Sequence, residues 1–270
     1  MRVFVTGGTG FIGTPLVREL KRRRHTVYAT KKRLHDERSL GRELRRFKPH
    51  VVIHLAWQGI PDLGLSMSRK NLRQSLAFLK LVANIRVPKV IVPGSCWQHE
   101  KEALAGDHRD FVHAKNALEK KGRALIEKSG GTYIWTYPFF IYGPGKRSGS
   151  LIPYLINEAR AHHTPIPKNP DAFHDFIYID DVVRALIALV ENRTPSGSYD
   201  IGSGKLTRTG DIAVQIAHAY KLATPKLRRS KKKGLRANIR ALARTTEWKP
   251  RVSLKNGIAK TITWFRTKTQ

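Results

Sequence analysis

The chain has 270 residues, 40% of them hydrophobic, enough for an ordinary core and too many for a wholly disordered chain. Against 20 Asp and Glu stand 51 Lys and Arg, a formal net charge of +31; such a field attracts nucleotides, nucleic acid and anionic surfaces without choosing among them. No run approaches the length of uninterrupted apolar sequence that a transmembrane helix needs.

Val3-Phe-Val5 is a short apolar run ending in glycines and reads as a buried strand. Leu16, Val17 and Leu20 recur at helical spacing, with Pro15 tolerated in the first turn and Arg18 and Lys21 to Arg24 on the outer face and at the end. Val27-Tyr-Ala29 predicts a strand, Leu40, Leu44 and Phe47 a helix stopped before Pro49, and Val51-Val-Ile-His-Leu55 a strand. A helix over Leu72–Val82, a strand at Val90-Ile-Val92, a long helix over Ala114–Ile126 and a strand at Thr132–Trp135 follow. This alternation predicts an α/β fold with a parallel sheet wrapped by helices. From Gly143 the pattern loosens into loops marked by Pro144, Pro165, Pro167 and Pro170. Strands at Phe176–Ile179 and Ser198–Ile201 enclose a helix over Val182–Val190, whose start carries Asp180 and Asp181 as expected caps. Leu254, Ile258, Ile262 and Phe265 form the stripe of a last helix. The opening residues lack the apolar core and cleavage site of a signal peptide, and Cys96, the single cysteine, has no internal partner; a cytoplasmic protein is expected.

Between the first strand and the first helix lies Thr6-Gly7-Gly8-Thr9-Gly10-Phe11-Ile12-Gly13. Glycines at 7, 10 and 13 permit a tight turn, close approach of a pyrophosphate to the backbone, and close helix–strand packing. The strand before and the helix after make this context specific. GGTGFIG resembles the glycine loop of the extended short-chain dehydrogenase/reductases, in the NAD-dependent epimerase/dehydratase family that modifies sugar nucleotides. Val52-Ile-His-Leu-Ala56, Asn71-Leu72, Phe140-Ile-Tyr-Gly-Pro144, His174-Asp-Phe-Ile-Tyr-Ile-Asp-Asp181, Tyr199-Asp-Ile-Gly-Ser203, Trp248-Lys-Pro250 and Gly257-Ile258 carry the resemblance almost to the end of the chain.

The resemblance implies a Rossmann-type, doubly wound parallel sheet with a small C-terminal α/β substrate lobe. The dinucleotide-binding domain is expected over 1–145, receiving later segments from about 172–204, and the discontinuous lobe over 146–270. The stretch from Arg33 to Pro49 has no apolar run for the third strand the family usually has, so that edge strand is expected to be missing or a stub. The implied cofactor residues are Gly7, Gly10, Phe11, Ile12, Gly13, Leu55, Ala56, Asn71, Lys115 and Pro138. After the second strand an acid would accept the ribose hydroxyls of NAD, whereas cations would pair with the 2′-phosphate of NADP. Lys31, Lys32 and Arg33 stand there, so NADP is expected, with NAD and a merely solvated basic loop as the alternatives.

The family's Tyr-x-x-x-Lys pair exchanges a proton with the substrate while the lysine holds the nicotinamide ribose and lowers the tyrosine pKa; a Ser or Thr orients the substrate oxygen. Ser95 and Lys115 occupy two of these catalytic positions, but Phe111 occupies the tyrosine's. A phenyl ring has no ionisable proton. Three readings follow: another group such as Ser95, Tyr142, Tyr178, His108 or His113 supplies the proton; the chemistry is slow or altered; or the chain binds dinucleotide without catalysis. The loop Gln98–Asp110 is short, and Tyr137 and His174 stand where many members carry arginines that meet the sugar nucleotide, which weakens the case for a nucleotide sugar beside other small carbonyl compounds. The Lys- and Arg-rich run from Lys226 to Arg236 is read as a solvated loop, with nucleic-acid contact as its alternative. Family members often form homodimers through two long helices, here Leu72–Val82 and Ala114–Ile126.

Overall fold

In a computed structural model, the structure describes residues 1–100, 106, 108–227, 231 and 233–267. The chain divides into two compact units. The first comprises Met1–Pro138, Val183–Asp200 and Arg240–Trp248; the second comprises Phe139–Val182, Ile201–Ile239 and Lys249–Gln270. The sequence reading put the division after residue 145 and returned 172–204 to the first domain. In the structure the chain passes into the second unit at Phe139, and 183–200 and 240–248 are the segments that return.

The first unit is built on strands β1 (Arg2–Thr6), β2 (Thr26–Ala29), β3 (Val51–His54), β4 (Lys89–Pro93) and β5 (Thr132–Pro138), joined by helices α1 (Gly13–Arg22), α2 (Glu37–Phe47), α3 (Leu65–Asn84) and α4 (Arg109–Lys128). After β6 (Phe140–Tyr142), α5 (Leu151–Arg160) and β7 (Phe173–Tyr178), helix α6 (Ile179–Glu191) brings the chain back to β8 (Gly197–Ile201). The sheet order is β2-β1-β3-β4-β5-β8. The pairs β1–β2, β1–β3, β3–β4 and β4–β5 are all parallel, with Phe4 opposite Tyr28 on one side and Val52 on the other. This is the expected Rossmann-type doubly wound α/β fold.

The burial of each strand follows its place in the sheet. Every residue of β3 is buried, as helices on both faces require. In β2 exposed and half-buried residues alternate, the mark of an edge strand. No strand lies beyond it among the described residues, so the edge strand missing from the Arg33–Pro49 sequence is missing from the sheet. Phe4, Val52, Phe78, Leu79, Val90, Leu118 and Trp135 are fully buried in the core. Helices α3 and α4 each run 20 residues, longer than the expected Leu72–Val82 and Ala114–Ile126.

The second unit holds a three-stranded sheet in the order β6-β7-β9, with β9 at Leu206–Arg208, and helices α5, α7 (Thr209–Ala219) and, after α8 (Arg240–Thr246) of the first unit, α9 (Leu254–Thr267). Strand β6 is parallel to β7, and β9 antiparallel. Two buried carboxylates organise this unit. Asp175 accepts from the amides of Ser203, Gly204 and Ala237 at 2.7, 2.9 and 3.1 Å. Asp181 accepts from the amides of Arg251 and Val252 at 2.7 and 2.9 Å. Asp181, in the first turn of α6, thus ties down the segment before Leu254, 70 residues along the chain. Of the basic run from Lys226 to Arg236, residues 228–230 and 232 lie outside the described residues, as do 101–105 and 107 of the loop before α4.

Candidate active site

Five parallel strands, β1 to β5, deliver their C-terminal ends to one edge of the sheet, where α/β proteins of this topology bind ligands. The glycine loop follows β1. Thr6, at the end of β1, ties this edge together: its hydroxyl lies 2.7 Å from His54 Nδ1 and accepts from the Ala56 amide at 3.2 Å. Burial pulls His54 down to about 3, so its imidazole is neutral.

The loop is packed so closely that side chains are excluded. Gly7 has φ +69°, and a Cβ there would lie 2.8 Å from the Ala56 amide nitrogen. A Cβ on Gly8 would meet the Ala29 side chain at 2.8 Å, and one on Gly13 would meet the Gly7 carbonyl oxygen at 2.1 Å. Gly10 donates to the Gly7 carbonyl and accepts from Thr14, so the turn runs straight into α1. The result is a bare backbone surface at the positive end of a helix dipole, the geometry that a pyrophosphate fits. Phe11 and Ile12 are half-buried at its rim.

The other sequence candidates distribute along the same edge. Lys31, Lys32 and Arg33 are exposed just after β2. Beside them stands an acid that the sequence reading missed: the Thr30 hydroxyl donates to Glu43 of α2 at 2.6 Å and accepts from the Lys32 amide at 3.1 Å. Leu55 and Ala56 continue β3, and Pro138 ends β5, all half-buried. Asn71 is buried and spends its side chain on the chain itself. Its amide donates to the carbonyls of Gln58 and Met67, both at 3.0 Å, and its Oδ1 accepts from the Gln58 amide at 2.8 Å. Asn71 thereby shapes the loop after β3.

Ser95 follows β4 and caps a short 3₁₀ turn, Cys96–His99. Its hydroxyl accepts from the Trp97 amide at 3.3 Å, and its amide donates to Gln98 Oε1 at 3.0 Å. Gln98 is a second residue the sequence reading passed over: it also accepts from the Trp135 indole at 3.2 Å and donates to Asn116 and Glu119. Gly94 makes room for it, since a Cβ there would lie 2.2 Å from Gln98 Oε1. Cys96 is buried. Tyr137 donates to Glu119 at 2.9 Å; burial, and then the carboxylate beside it, raises its pKa.

Phe111 and Lys115 lie one turn apart on α4 and face the same way. The Phe111 ring is 5% exposed, with its neighbours Trp57 and Trp97 edge-on at 5.6 and 5.9 Å. His108 stacks on Trp97 at 3.6 Å. Lys115 is buried: its ammonium donates to the Pro93 carbonyl at 3.0 Å and sits 3.8 Å from the centre of the Trp57 ring and 5.7 Å from that of Phe111. Burial draws its pKa from 10.5 to about 7. His113, one of the sequence candidates for a substitute acid, is exposed.

A model of the NAD dependent epimerase/dehydratase family matches residues 3–202. The chain belongs to that family. It is 25% identical to a GDP-6-deoxy-D-mannose reductase of Pseudomonas aeruginosa, over 95% of this chain and 94% of the relative. The crystal structure of a UDP-glucose 4-epimerase with UDP-glucose, from Thermotoga maritima, superposes with a TM-score of 0.86 at 19% identity, covering 100% of both chains. MoeE5 in complex with UDP-glucose and NAD gives 0.83 at 22% identity, again over 100% of both. These likenesses confirm the fold and the family resemblance read from the motifs. Among the described residues, no helix is long and apolar enough to cross a membrane, and no cluster of His, Cys, Asp or Glu has metal-binding geometry.

Proposed function

We propose that this chain binds NAD(P) at the glycine loop and uses it to act on a nucleotide sugar or related carbonyl compound, with Lys115 rather than a tyrosine handling the proton. When bound, the dinucleotide supplies or takes up a hydride. The remaining chemistry belongs to the protein. Gly7, Gly10, Phe11, Ile12 and Gly13 seat the diphosphate; Leu55 and Ala56 line the wall after β3, and Pro138 the wall after β5. Asn71 holds its loop and acts as a positioning residue. Lys31, Lys32 and Arg33 favour the 2′-phosphate of NADP, against the single carboxylate of Glu43.

The observation that carries the proton assignment is the pairing of Phe111 with a desolvated Lys115. Phe111 removes the phenolic proton, and a lysine that titrates near 7 both holds and releases a proton at neutral pH. Ser95 orients the substrate oxygen. The aromatic ring over Lys115 favours a second reading, a dinucleotide-binding protein without turnover, because the ammonium is already engaged by the Trp57 ring at 3.8 Å and by the Pro93 carbonyl at 3.0 Å.

Steady-state assays with NADPH, NADH and a panel of keto-sugar nucleotides separate the two. The proposal expects turnover by the native chain, lost in Lys115→Met. Phe111→Tyr should raise kcat by about tenfold or more, since a positioned general acid contributes roughly 10²–10⁴-fold. Cofactor binding without turnover in the native chain, restored by Phe111→Tyr, would establish the silent reading instead.

A further inference from the structure

The contact that ties the end of β1 to β3 leaves one atom of the pair without a partner. The Thr6 hydroxyl accepts from the Ala56 amide at 3.2 Å, and its single proton is left to give; His54 Nδ1 lies 2.7 Å away. If Nδ1 carried the ring proton, the Thr6 proton would have no acceptor among the described residues. Thr6 therefore donates to Nδ1, and the proton of the neutral imidazole sits on Nε2. His54 is 3% exposed, and its Nε2 has no hydrogen-bond partner among the described residues.

A second buried group is in the same condition. The His54 ring lies 5.0 Å from that of Phe78 on α3, and Ser75 precedes Phe78 by one turn on the same side of the helix. Ser75 is fully buried, and its hydroxyl has no partner among the described residues, not even the carbonyl one turn back that a mid-helix serine can take. The other buried polar side chains of α3 are engaged: Ser68 with the Leu63 carbonyl, Asn71 with the carbonyls of Gln58 and Met67, and Gln74 with the Gln58 side chain. Lys115 completes the set, close enough for its charge to act on His54. An ammonium carries three N–H donors. The Pro93 carbonyl takes one and the Trp57 ring covers another side at 3.8 Å, which leaves a third.

Buried polar groups are seldom left unsatisfied, and the usual remedy is an internal water with about three hydrogen bonds. An imidazole N–H, a hydroxyl and an ammonium N–H suit one such molecule, which accepts from His54 and Lys115 and donates to Ser75.

We propose that an internal water is held between His54 Nε2, the Ser75 hydroxyl and the Lys115 amine, which makes His54 and Ser75 positioning residues for Lys115. The role rests on the reading of Lys115 as the proton carrier. While the amine is protonated the water accepts from it; once the proton has left, the water turns and donates to the amine. Both states keep a partner, and His54 donates throughout. Little else acts on the amine among the described residues. β3 brings the neutral His54, α3 has no Asp or Glu, β4 and β5 present the Pro93 carbonyl and Trp135, and on α4 itself Glu119 is taken up by Tyr137 and Ser198.

Nuclear magnetic resonance of the full chain, with 15N in its histidines and 13C in its lysines, tests this without any substrate. The native spectrum should place the His54 proton on Nε2 across the neutral range and show magnetisation transfer to it from a bound water. Ser75→Ala removes one anchor of the water and no other hydrogen bond. It should lower the midpoint of the Lys115 titration by about half a pH unit or more, because the charged amine loses support that the neutral amine needs less. A serine with only a packing role would leave that midpoint where it is. A proton on Nδ1, an Nε2 proton with no transfer from water, or an unchanged midpoint in Ser75→Ala would each overturn the proposal. Were the variant too unstable to titrate, the two native signals decide. None of these readouts depends on turnover, so failure here is told apart from failure of the catalytic reading, which the assays with Lys115→Met judge on their own.

Discussion

Lys115→Met offers a direct test of the electrostatics at the site, independent of any substrate. Burial lowers the Lys115 pKa from 10.5 in an open chain to about 7 in the fold. Between these values the unfolded chain holds a proton that the folded chain has released, so native stability rises with pH across the window and is lowest below it. Each pH unit of that window is worth about 1.4 kcal/mol. Methionine has a similar length and does not titrate, so subtracting its profile removes every other group that ionises over the same range. Urea unfolding of both proteins should show the native chain gaining about 4 kcal/mol on the variant between about pH 6 and pH 10. A difference that stays flat to within about 1 kcal/mol would refute the reasoning. It would mean that the Pro93 carbonyl and the Trp57 face hold the ammonium charged against its burial, and that Lys115 cannot carry the proton assigned to it.

Gly13→Ala should abolish dinucleotide binding by thermal shift and cost about 1–3 kcal/mol in unfolding, because a Cβ there lies 2.1 Å from the Gly7 carbonyl oxygen and neither backbone can yield without opening the loop. Replacing Lys31, Lys32 and Arg33 together with alanine should raise the NADP dissociation constant by about tenfold or more and leave that of NAD nearly unchanged; an equal loss for both would assign the cations to general attraction. Asp181→Asn should destabilise the chain by about 1.5–3 kcal/mol in chemical denaturation, since the neutral amide keeps only one acceptor for the Arg251 and Val252 amides.

The fold was legible because its signals are local. Each parallel strand is a short apolar run, the glycine loop sits between a strand and a helix, and the absence of an apolar run between Arg33 and Pro49 announced the missing edge strand. The candidate positions could be picked out along the chain, but not the environment each of them would have. Thr30 and Glu43 meet only when α2 folds back beside β2, and no periodicity ties them. Asn71 and Gln58 are 13 residues apart, yet the side chain that the motif marked for the cofactor is consumed by that loop. Asp181 was marked for its place at a helix start, a local signal; its amide partners at 251 and 252 lie 70 and 71 residues on and leave no local mark. Trp57 and Trp97 follow β3 and β4, and nothing in the spacing of either shows that both close on the Phe111 ring.

That enclosure links the departure at 111 to the behaviour of Lys115. A phenol at this position needs a hydrogen-bond partner or water for its hydroxyl, and either would keep the neighbouring amine in a polar setting. A phenyl ring needs neither. It packs edge-on against two indoles, one of which also covers the Lys115 ammonium. The loss of one proton carrier and the desolvation that turns its neighbour into another are, on this account, consequences of the same packing. If so, Trp57→Ala should admit water to Lys115, return its pKa toward 10.5, and lower activity at neutral pH more than at alkaline pH, where the amine again begins to release its proton. An activity loss of the same size at every pH would mean that Trp57 serves only to shape the site, and would separate the aromatic cluster from the proton chemistry.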